Sequence, residues 1–342
     1  MLIVGIIGYG VVGKRRREYI DLNPELQTCY VSDVNFENDG QFTDGVKYFN
    51  DYRKIFAQDV DVIFVSLPNY LSSKVTIMAL DKGCHVFCEK PPAKTVEEVR
   101  EVIGCNERNP NLKLKYGFNH RYHDSVRKAR QIIDSGQLGD VVSFRGVYGK
   151  SSIIPFGSGW RSEKRFAGGG ILLDQGIHML DLIRYFSSDY EEIHSFVSND
   201  YWNHDVEDNA FILMRNKAGQ IASLHSTATQ WQHRFRLEII LNQGLMELTG
   251  ILSGSKSYGS EKLKIIEKDE GESVGSQEEK IFTFLNDSSW KDEIDEFANC
   301  IVNDKPIENG TSYDALKVME MIREVYKADK SWWKYLNEKH EE

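Results

Sequence analysis

Short apolar runs alternate with helical patterns through about the first 118 residues, the pattern of a parallel sheet covered by helices. Leu2 to Ile7 predicts a strand, Val11 to Ile20 a helix, and Leu26 to Ser32 a second strand that ends at Asp33. Tyr52 to Phe56 predicts a short helix, and Val60 to Ser66 the strongest strand of the chain. Pro68 opens a helix that runs to about Lys82, and His85 to Cys88 is a strand. Thr95 to Arg108 is a helix capped by Thr95, and Leu112 to Tyr116 a further strand.

Beyond that point the rhythm changes. Ser125 to Ser135 is amphipathic, with Gly136 placed to stop it. Strand patterns then dominate: Val141 to Tyr148, Ile193 to Ser198, Ala210 to Met214, Ile221 to Thr229, Phe235 to Leu241 and Leu245 to Leu248. Asn216 to Gly219 and Asn242 to Gly244 supply hairpin turn residues. One helix, about Ile171 to Phe186, interrupts the set. Residues 253–280, rich in Ser, Gly, Glu and Lys, read as exposed loops with a short edge strand, and helices near 289–303 and 311–335 close the pattern. No internal repeat is visible.

Composition narrows the classes. The 342 residues suggest about two domains, with 41% hydrophobic, 27% charged and 11% aromatic residues as in a soluble globular chain rather than a disordered one. No run reaches the roughly 20 apolar residues of a membrane helix. The opening MLIVGIIGYG has no basic region or cleavage site and reads as a buried strand, not a signal peptide. The net charge of −10 argues against nucleic acid or an anionic membrane as a main partner. The dense basic run of Lys14, Arg15, Arg16 and Arg17 reads either as a solvated helix face or as the source of one phosphate-facing arginine. Five scattered cysteines form no disulfide framework and suggest a reduced, cytoplasmic protein. Cys84 and Cys88 flank His85, but four strand residues span about 13 Å and His85 points to the opposite face, so no metal is expected there.

Three motifs carry chemistry. Gly8-Tyr9-Gly10-Val11-Val12-Gly13 follows a strand and opens a helix, the context that a dinucleotide-binding glycine loop requires. Gly8 allows the tight turn, Gly10 lets the backbone approach a pyrophosphate, and Gly13 allows close helix packing, while free N–H groups hold the anion. Asp33 stands 20 residues beyond Gly13, placed to accept hydrogen bonds from a ribose and to repel a 2′-phosphate. NAD is therefore favoured over NADP, although Arg15 or Arg16 could compensate. Glu89-Lys90-Pro91-Pro92 follows a strand whose C-terminal end faces the ligand crevice of a doubly wound sheet, so Lys90 is either a substrate-facing ammonium or an ordinary strand-end lysine. In GGGILLDQGIHMLD, Asp174 and His178 share a helix face, about 40° apart, as an acid/base pair or a surface ion pair. No third ligand accompanies them for a metal. Leu173, Ile177 and Leu180 line another face, and Gly176 in mid-helix implies close approach to the backbone.

Together these motifs resemble the glucose–fructose oxidoreductase / inositol dehydrogenase / rhizopine catabolism family, Gfo/Idh/MocA, over nearly the whole chain. GYGVVG, SLPNY, HVFCEKPPA, GFNHRYHD and GWRSEKRFAGGGILLDQGIHMLD carry the likeness in the family's order. The resemblance implies Lys90, Asp174 and His178 as the catalytic trio. It implies Ser66, Leu67, Pro68, Asn69, Glu89 and Asn119 near the cofactor, with Trp160 and Arg161 in a segment that reaches cofactor or substrate. Ser72 departs from the histidine usual three residues after Pro-Asn. The fold implied is α/β followed by α+β. Residues 1–120 would form a Rossmann NAD(P)-binding domain. Residues 121–342 would form a substrate and oligomerisation domain with a mostly antiparallel open sheet and helices on one face, the final helices able to pack back on the first domain.

The resulting expectation is a cytoplasmic NAD(P)-dependent dehydrogenase acting on a secondary alcohol or ketone of a sugar, cyclitol or nucleotide sugar. Its partner is a small carbohydrate-like molecule. A non-catalytic NAD-binding sensor of the same fold and an NAD-dependent glycosidase are the alternatives. The sheet of residues 141–250 has few helices to cover it, which predicts a homodimer or homotetramer.

Overall fold

The computed structural model describes residues 1–153, 156, 159–252, 257–268 and 278–338. The chain divides into two compact units. Met1–Asn119, Arg165–Gly168 and Ser289–Leu316 form the first, and His120–Lys164, Gly169–Ser288 and Lys317–Glu342 the second.

The first unit is built on seven strands: β1 (Leu2–Ile7), β2 (Leu26–Ser32), β3 (Gly40–Gln41), β4 (Lys47–Phe49), β5 (Val62–Val65), β6 (His85–Cys88) and β7 (Leu114–Tyr116). They lie in the order β3-β4-β2-β1-β5-β6-β7, all parallel except β3. Helices α1 (Val11–Ile20), α2 (Asn69–Asp81) and α3 (Val96–Arg108) connect them, and the Thr95 hydroxyl caps α3 by accepting from Glu98 N–H. The chain leaves β1 toward β2 on one side and returns through β5 on the other, so the strand order reverses beside the C-terminal end of β1. The hairpin of β3 and β4 is absent from the sequence expectation. Its strands are two and three residues long, too short for periodicity, and the stacking of Phe36, Phe42 and Tyr48 holds it in place.

In the second unit α4 (Asp124–Ser135) ends at Gly136, whose φ of +70° is the left-handed stop expected there. Next come β8 (Val141–Ser151) and α6 (Ile177–Phe186); of the short α5 (Lys164–Ala167) that lies between them in the chain, all but Lys164 is counted with the first unit. After them stand β9 (Tyr190–Ser198), β10 (Asn209–Asn216), β11 (Ile221–Gln230), β12 (Arg234–Leu241), β13 (Gly244–Thr249), β14 (Glu261–Glu267) and β15 (Glu279–Phe284). The eight strands order as β15-β14-β13-β12-β8-β11-β10-β9, antiparallel throughout except for β8 with β11. Strand β10 shows the two faces cleanly. Ala210, Ile212 and Met214 are buried toward the helices, while Phe211 and Leu213 are exposed on the other side. Where exposed loops with one short edge strand are expected over 253–280, the described part holds the seven-residue β14 and the start of the edge strand β15, and residues 253–256 and 269–277 lie outside the described set.

Two more corrections concern helices. The expected regular helix from Ile171 begins with a π-helical turn, Leu172–Gly176, before α6. The terminal helix expected over 311–335 is two: α8 (Ser312–Ala328) and α9 (Lys330–Glu338), preceded by α7 (Ser289–Val302). Asp329 makes the break, because its carboxylate accepts from the N–H groups of Ser331 and Trp332 as a cap and from Val197 N–H on β9. Helix α7 is counted with the first unit, not the second. Its Ile294, Phe297 and Ala298 complete the core of Val4, Ile6, Phe64 and Phe87, and Phe297 meets both stacked rings edge-on.

Candidate functional site

In the first unit, the turn from β1 into α1 has the features of an anion cradle. Gly8 adopts φ +92°, and a Cβ there would overlap the Ser66 carbonyl, while one on Gly13 would overlap the Gly8 carbonyl. The space around Gly10 is open. Helix α1 starts with no side-chain cap and no acidic residue in its first turn, and Val11 and Val12 are exposed. Its first N–H groups and the positive end of its dipole are thus offered to a ligand. The Asp33 carboxylate accepts from Tyr9 N–H at 2.9 Å with one oxygen and from the backbone and side chain of Asn35 with the other. This ties the end of β2 to the glycine loop, and the residues fit the pyrophosphate and ribose of a dinucleotide.

The neighbouring strand ends supply the other expected residues. The Ser66 hydroxyl, after β5, is buried with no hydrogen-bond partner among the described residues. Leu67 is half-buried, Pro68 stands at the start of α2, and buried Asn69 donates to the Ala167 carbonyl at 2.7 Å. The Ser72 hydroxyl donates back to the Leu67 and Pro68 carbonyls. Buried Asn119 donates to the Ser289 hydroxyl. Glu89 is buried and Lys90 half-buried, both following β6.

The basic run overturns the solvated reading for two of its members. Arg16 is 1% exposed and ion-paired with Glu89 and Glu293. Arg17 is held by Asp21, Asp44 and the Tyr9 hydroxyl. Neither guanidinium is left over for a 2′-phosphate. The signal was in the spacing: Gly13, Arg16 and Ile20 fall at i, i+3 and i+7, the buried stripe of α1.

In the second unit, almost every residue from Gly169 to Ile183 is buried, so the helix is enclosed rather than two-faced. Asp174 and Gln175 are half-buried, and His178 is 4% exposed. The π-helical turn advances less per residue than regular helix, which brings Asp174 and His178 closer to eclipsed than the expected 40°. What approaches Gly176 is Ser226 of β11, since a Cβ there would lie 2.6 Å from its hydroxyl. Glu207 pins the segment by accepting from Gly170 and Leu172 N–H and from the Tyr326 hydroxyl, and burial pushes its carboxyl up to about 7.

A polar aromatic cluster surrounds this helix. The His120 ring stacks on His178, and its Nε2 shares a 3.1 Å hydrogen bond with the Tyr148 hydroxyl. Tyr258 packs against Tyr148 and donates to the Gln175 side chain at 3.0 Å. Burial raises both phenols, with Asp174 adding to the effect, and lowers the Lys150 ammonium, which Asp174 partly restores. Beside Tyr258 lies a cleft of about 460 Å³ lined by Ser151, Ile153, Gln232, His233, Ser257 and Gly259. Arg121 holds Asp181 of α6 through two hydrogen bonds, fixing the turn that carries His120. Trp160 and Arg161 share a short turn, the guanidinium 4.4 Å from the indole centre. Residues 154, 155, 157 and 158, shortly before this turn, lie outside the described set. Lys90 belongs to the first unit, Asp174 and His178 to the second. Among the described residues no group of three His, Cys, Asp or Glu is arranged to hold a metal.

Residues 2–118 match the model of the oxidoreductase family with NAD-binding Rossmann fold, and residues 126–247 match the GFO/IDH/MocA C-terminal domain. The chain belongs to the GFO/IDH/MocA family. It is 29% identical over 220 residues to a levoglucosan dehydrogenase of Pseudarthrobacter phenanthrenivorans, covering 58% of this chain and 54% of that protein. It is 34% identical over 191 residues to the D-glucoside 3-dehydrogenase of Escherichia coli, covering 54% and 53%. The matched part thus spans about half the length of these curated relatives. A solved levoglucosan dehydrogenase in complex with NADH has the same fold, with a TM-score of 0.81, 20% identity and 97% of both chains covered. In this member of the GFO/IDH/MocA family, the burial and ion pairs of Arg16, the hydrogen bonds of Glu207 and the packing of Tyr258 were not anticipated from the sequence.

Proposed function

We propose that this chain is an NAD-dependent dehydrogenase of the GFO/IDH/MocA family that acts on a secondary alcohol, or the matching ketone, of a sugar or cyclitol. The observation that carries the reading is the half-buried Asp174 one turn from His178, in a helix otherwise enclosed, with His120, Tyr148 and Tyr258 packed around it. Relatives named as levoglucosan, D-glucoside and inositol 2-dehydrogenases point to the same substrate class.

Each residue then has a distinct task. His178 takes the hydroxyl proton during oxidation and returns it during reduction. Asp174 orients the substrate and stabilises the imidazolium. Lys90 polarises the reacting oxygen. Gly8 to Gly13 seat the pyrophosphate on the start of α1, and Asp33 receives the adenosine ribose, which favours NAD. When bound, NAD supplies the hydride acceptor. The cleft beside Tyr258 is lined with hydroxyl, amide and imidazole groups suited to a polyhydroxylated ring.

The same reading places the protein in the cytoplasm as a homodimer or homotetramer. All five cysteines are free, and no helix among the described residues is long and apolar enough to cross a membrane. Phe196, Phe211, Leu213 and Ile221 expose an apolar stripe on neighbouring strands β9, β10 and β11 for a second copy to cover. The test is NAD reduction at 340 nm across sugars, cyclitols and nucleotide sugars. Turnover of a free sugar or cyclitol is expected, and NAD binding with no turnover of any alcohol would overturn the enzyme reading in favour of a sensor.

A further inference from the structure

The Arg16 side chain runs from α1 into the interior and is only 1% exposed. Its Nε donates to Glu89 Oε1 at 2.5 Å and its Nη1 faces Glu293 Oε2 at 2.8 Å. The guanidinium carbon lies 4.3 Å from the ring centre of Phe87 on β6 and 4.3 Å from that of Trp290 on α7. A Cβ on Gly117, after β7, would come within 3.0 Å of Glu89 Oε2 and 3.1 Å of Arg16 Nη2, so that glycine leaves the pair its room. Four elements of the first unit therefore converge on one cation. A buried arginine is retained only with such pairing, because an unmatched charge in a dry site is strongly destabilising.

The position of the pair gives it a use. Arg16 stands one turn beyond Gly13, on the helix whose start offers its N–H groups to a pyrophosphate. Glu89 immediately precedes Lys90 at the end of β6. We propose that Arg16 is a positioning residue: with Glu293 as its second anchor it fixes the Glu89 carboxylate, and through it the backbone that presents Lys90 to the nicotinamide half of the cofactor. This deepens the dehydrogenase reading and rests on it. Two carboxylates share one guanidinium, and Lys115, itself paired with Glu296, adds the other nearby positive charge. The planar, five-donor group can hold two carboxylates at its edges while it lies against aromatic rings. A lysine at the same place offers a single point charge and no face.

The test compares two probes that share their adenosine and pyrophosphate. NAD and ADP-ribose are titrated calorimetrically into the whole protein and into Arg16→Lys, with thermal unfolding recorded for each. Arg16→Lys is expected to weaken NAD by about tenfold while ADP-ribose stays within about twofold. Equal loss for both probes means that Arg16 merely supports the fold, and no loss for either means that Glu89 needs no such anchor; both overturn the proposal. Should Arg16→Lys fail to fold, the isosteric Glu293→Gln carries the test, with a loss of about threefold expected for NAD alone and an equal or absent loss overturning it. A wild-type protein that binds neither probe refutes the dinucleotide reading itself, and the positioning role falls with it.

Discussion

The imidazole of His120 lies flat against that of His178, ring centres 3.7 Å apart and planes 9° from parallel. Stacked at this distance, each ring limits the rotation of the other. If His178 is the acid/base group, His178→Ala lowers kcat by about 10²–10⁴-fold, the scale of a lost proton-transfer group. His120→Ala removes the supporting ring and its hydrogen bond to Tyr148, and costs less, about tenfold. NAD affinity holds in both, since the glycine loop and Asp33 are untouched. Steady-state kinetics with calorimetric titration of NAD check the pair, and full turnover in His178→Ala would remove the assignment.

The Asp33 carboxylate sits against the glycine loop through Tyr9 N–H. A 2′-phosphate brought there meets a negative charge, and of the two arginines that could compensate, Arg16 is already paired and Arg15 lies 5.1 Å from the Trp290 ring centre. NAD is therefore expected to bind at least tenfold more tightly than NADP, a difference of about 1.4 kcal/mol. Titration of both dinucleotides measures it, and equal affinities would refute the discrimination.

Gly176→Ala separates packing from helix propensity. In a free helix the change stabilises by about 1 kcal/mol. Here the new methyl group would sit 2.6 Å from Ser226 Oγ and 2.8 Å from Leu172 Cδ1. Overpacking should win, destabilising the fold by about 1–3 kcal/mol. Urea unfolding of the variant gives the sign directly.

Burial pushes the Glu293 carboxyl from 4.5 up to about 7, with the adjacent Glu89 raising it further and Arg16 and Lys115 pulling it down. A carboxyl whose folded value is raised favours folding when protonated. Its contribution is complete below about 4.5 and is lost as pH rises through about 7. Thermal midpoints of wild type should carry this decline between those limits, and Glu293→Gln should flatten it. A variant curve parallel to wild type would show that Glu293 does not titrate in this window.

Phe211 stacks on His225 of β11 and lies opposite Phe196 of β9 on the exposed side of the large sheet. Phe211→Asp places a charge in the middle of that stripe. Light scattering at micromolar concentration should find an oligomer for wild type and a smaller species for the variant; a wild-type monomer would refute the assembly.

Local signals carried most of the fold into the sequence. Gly8, Gly13 and Gly136 mark places where a side chain cannot go or the backbone must turn left-handed, and Thr95 marks a helix start, so each was readable from its neighbours. The misses depend on residues distant in the chain. Glu207 holds the Gly170 turn from 37 residues away, and Asp329 ends α8 by reaching Val197 as well as capping α9. The π-helical turn at Leu172 depends on tertiary packing around Gly176, which periodicity does not record. Arg16 was hidden by its basic neighbours, although its spacing to Gly13 and Ile20 was a usable sign.

Helix α7 closes the core of the first unit with Ile294, Phe297 and Ala298. The ribosome delivers these residues only after the whole eight-stranded sheet has emerged. The nascent nucleotide unit must therefore wait, with Phe64 and Phe87 lacking their final cover, while the later unit is still being made. An isolated fragment ending at Asn119 would keep that apolar surface permanently, and a gene cut there should yield aggregate rather than a working domain. First to be translated, the β1–β7 sheet gains its last core residues only after all eight strands of the other unit have been made.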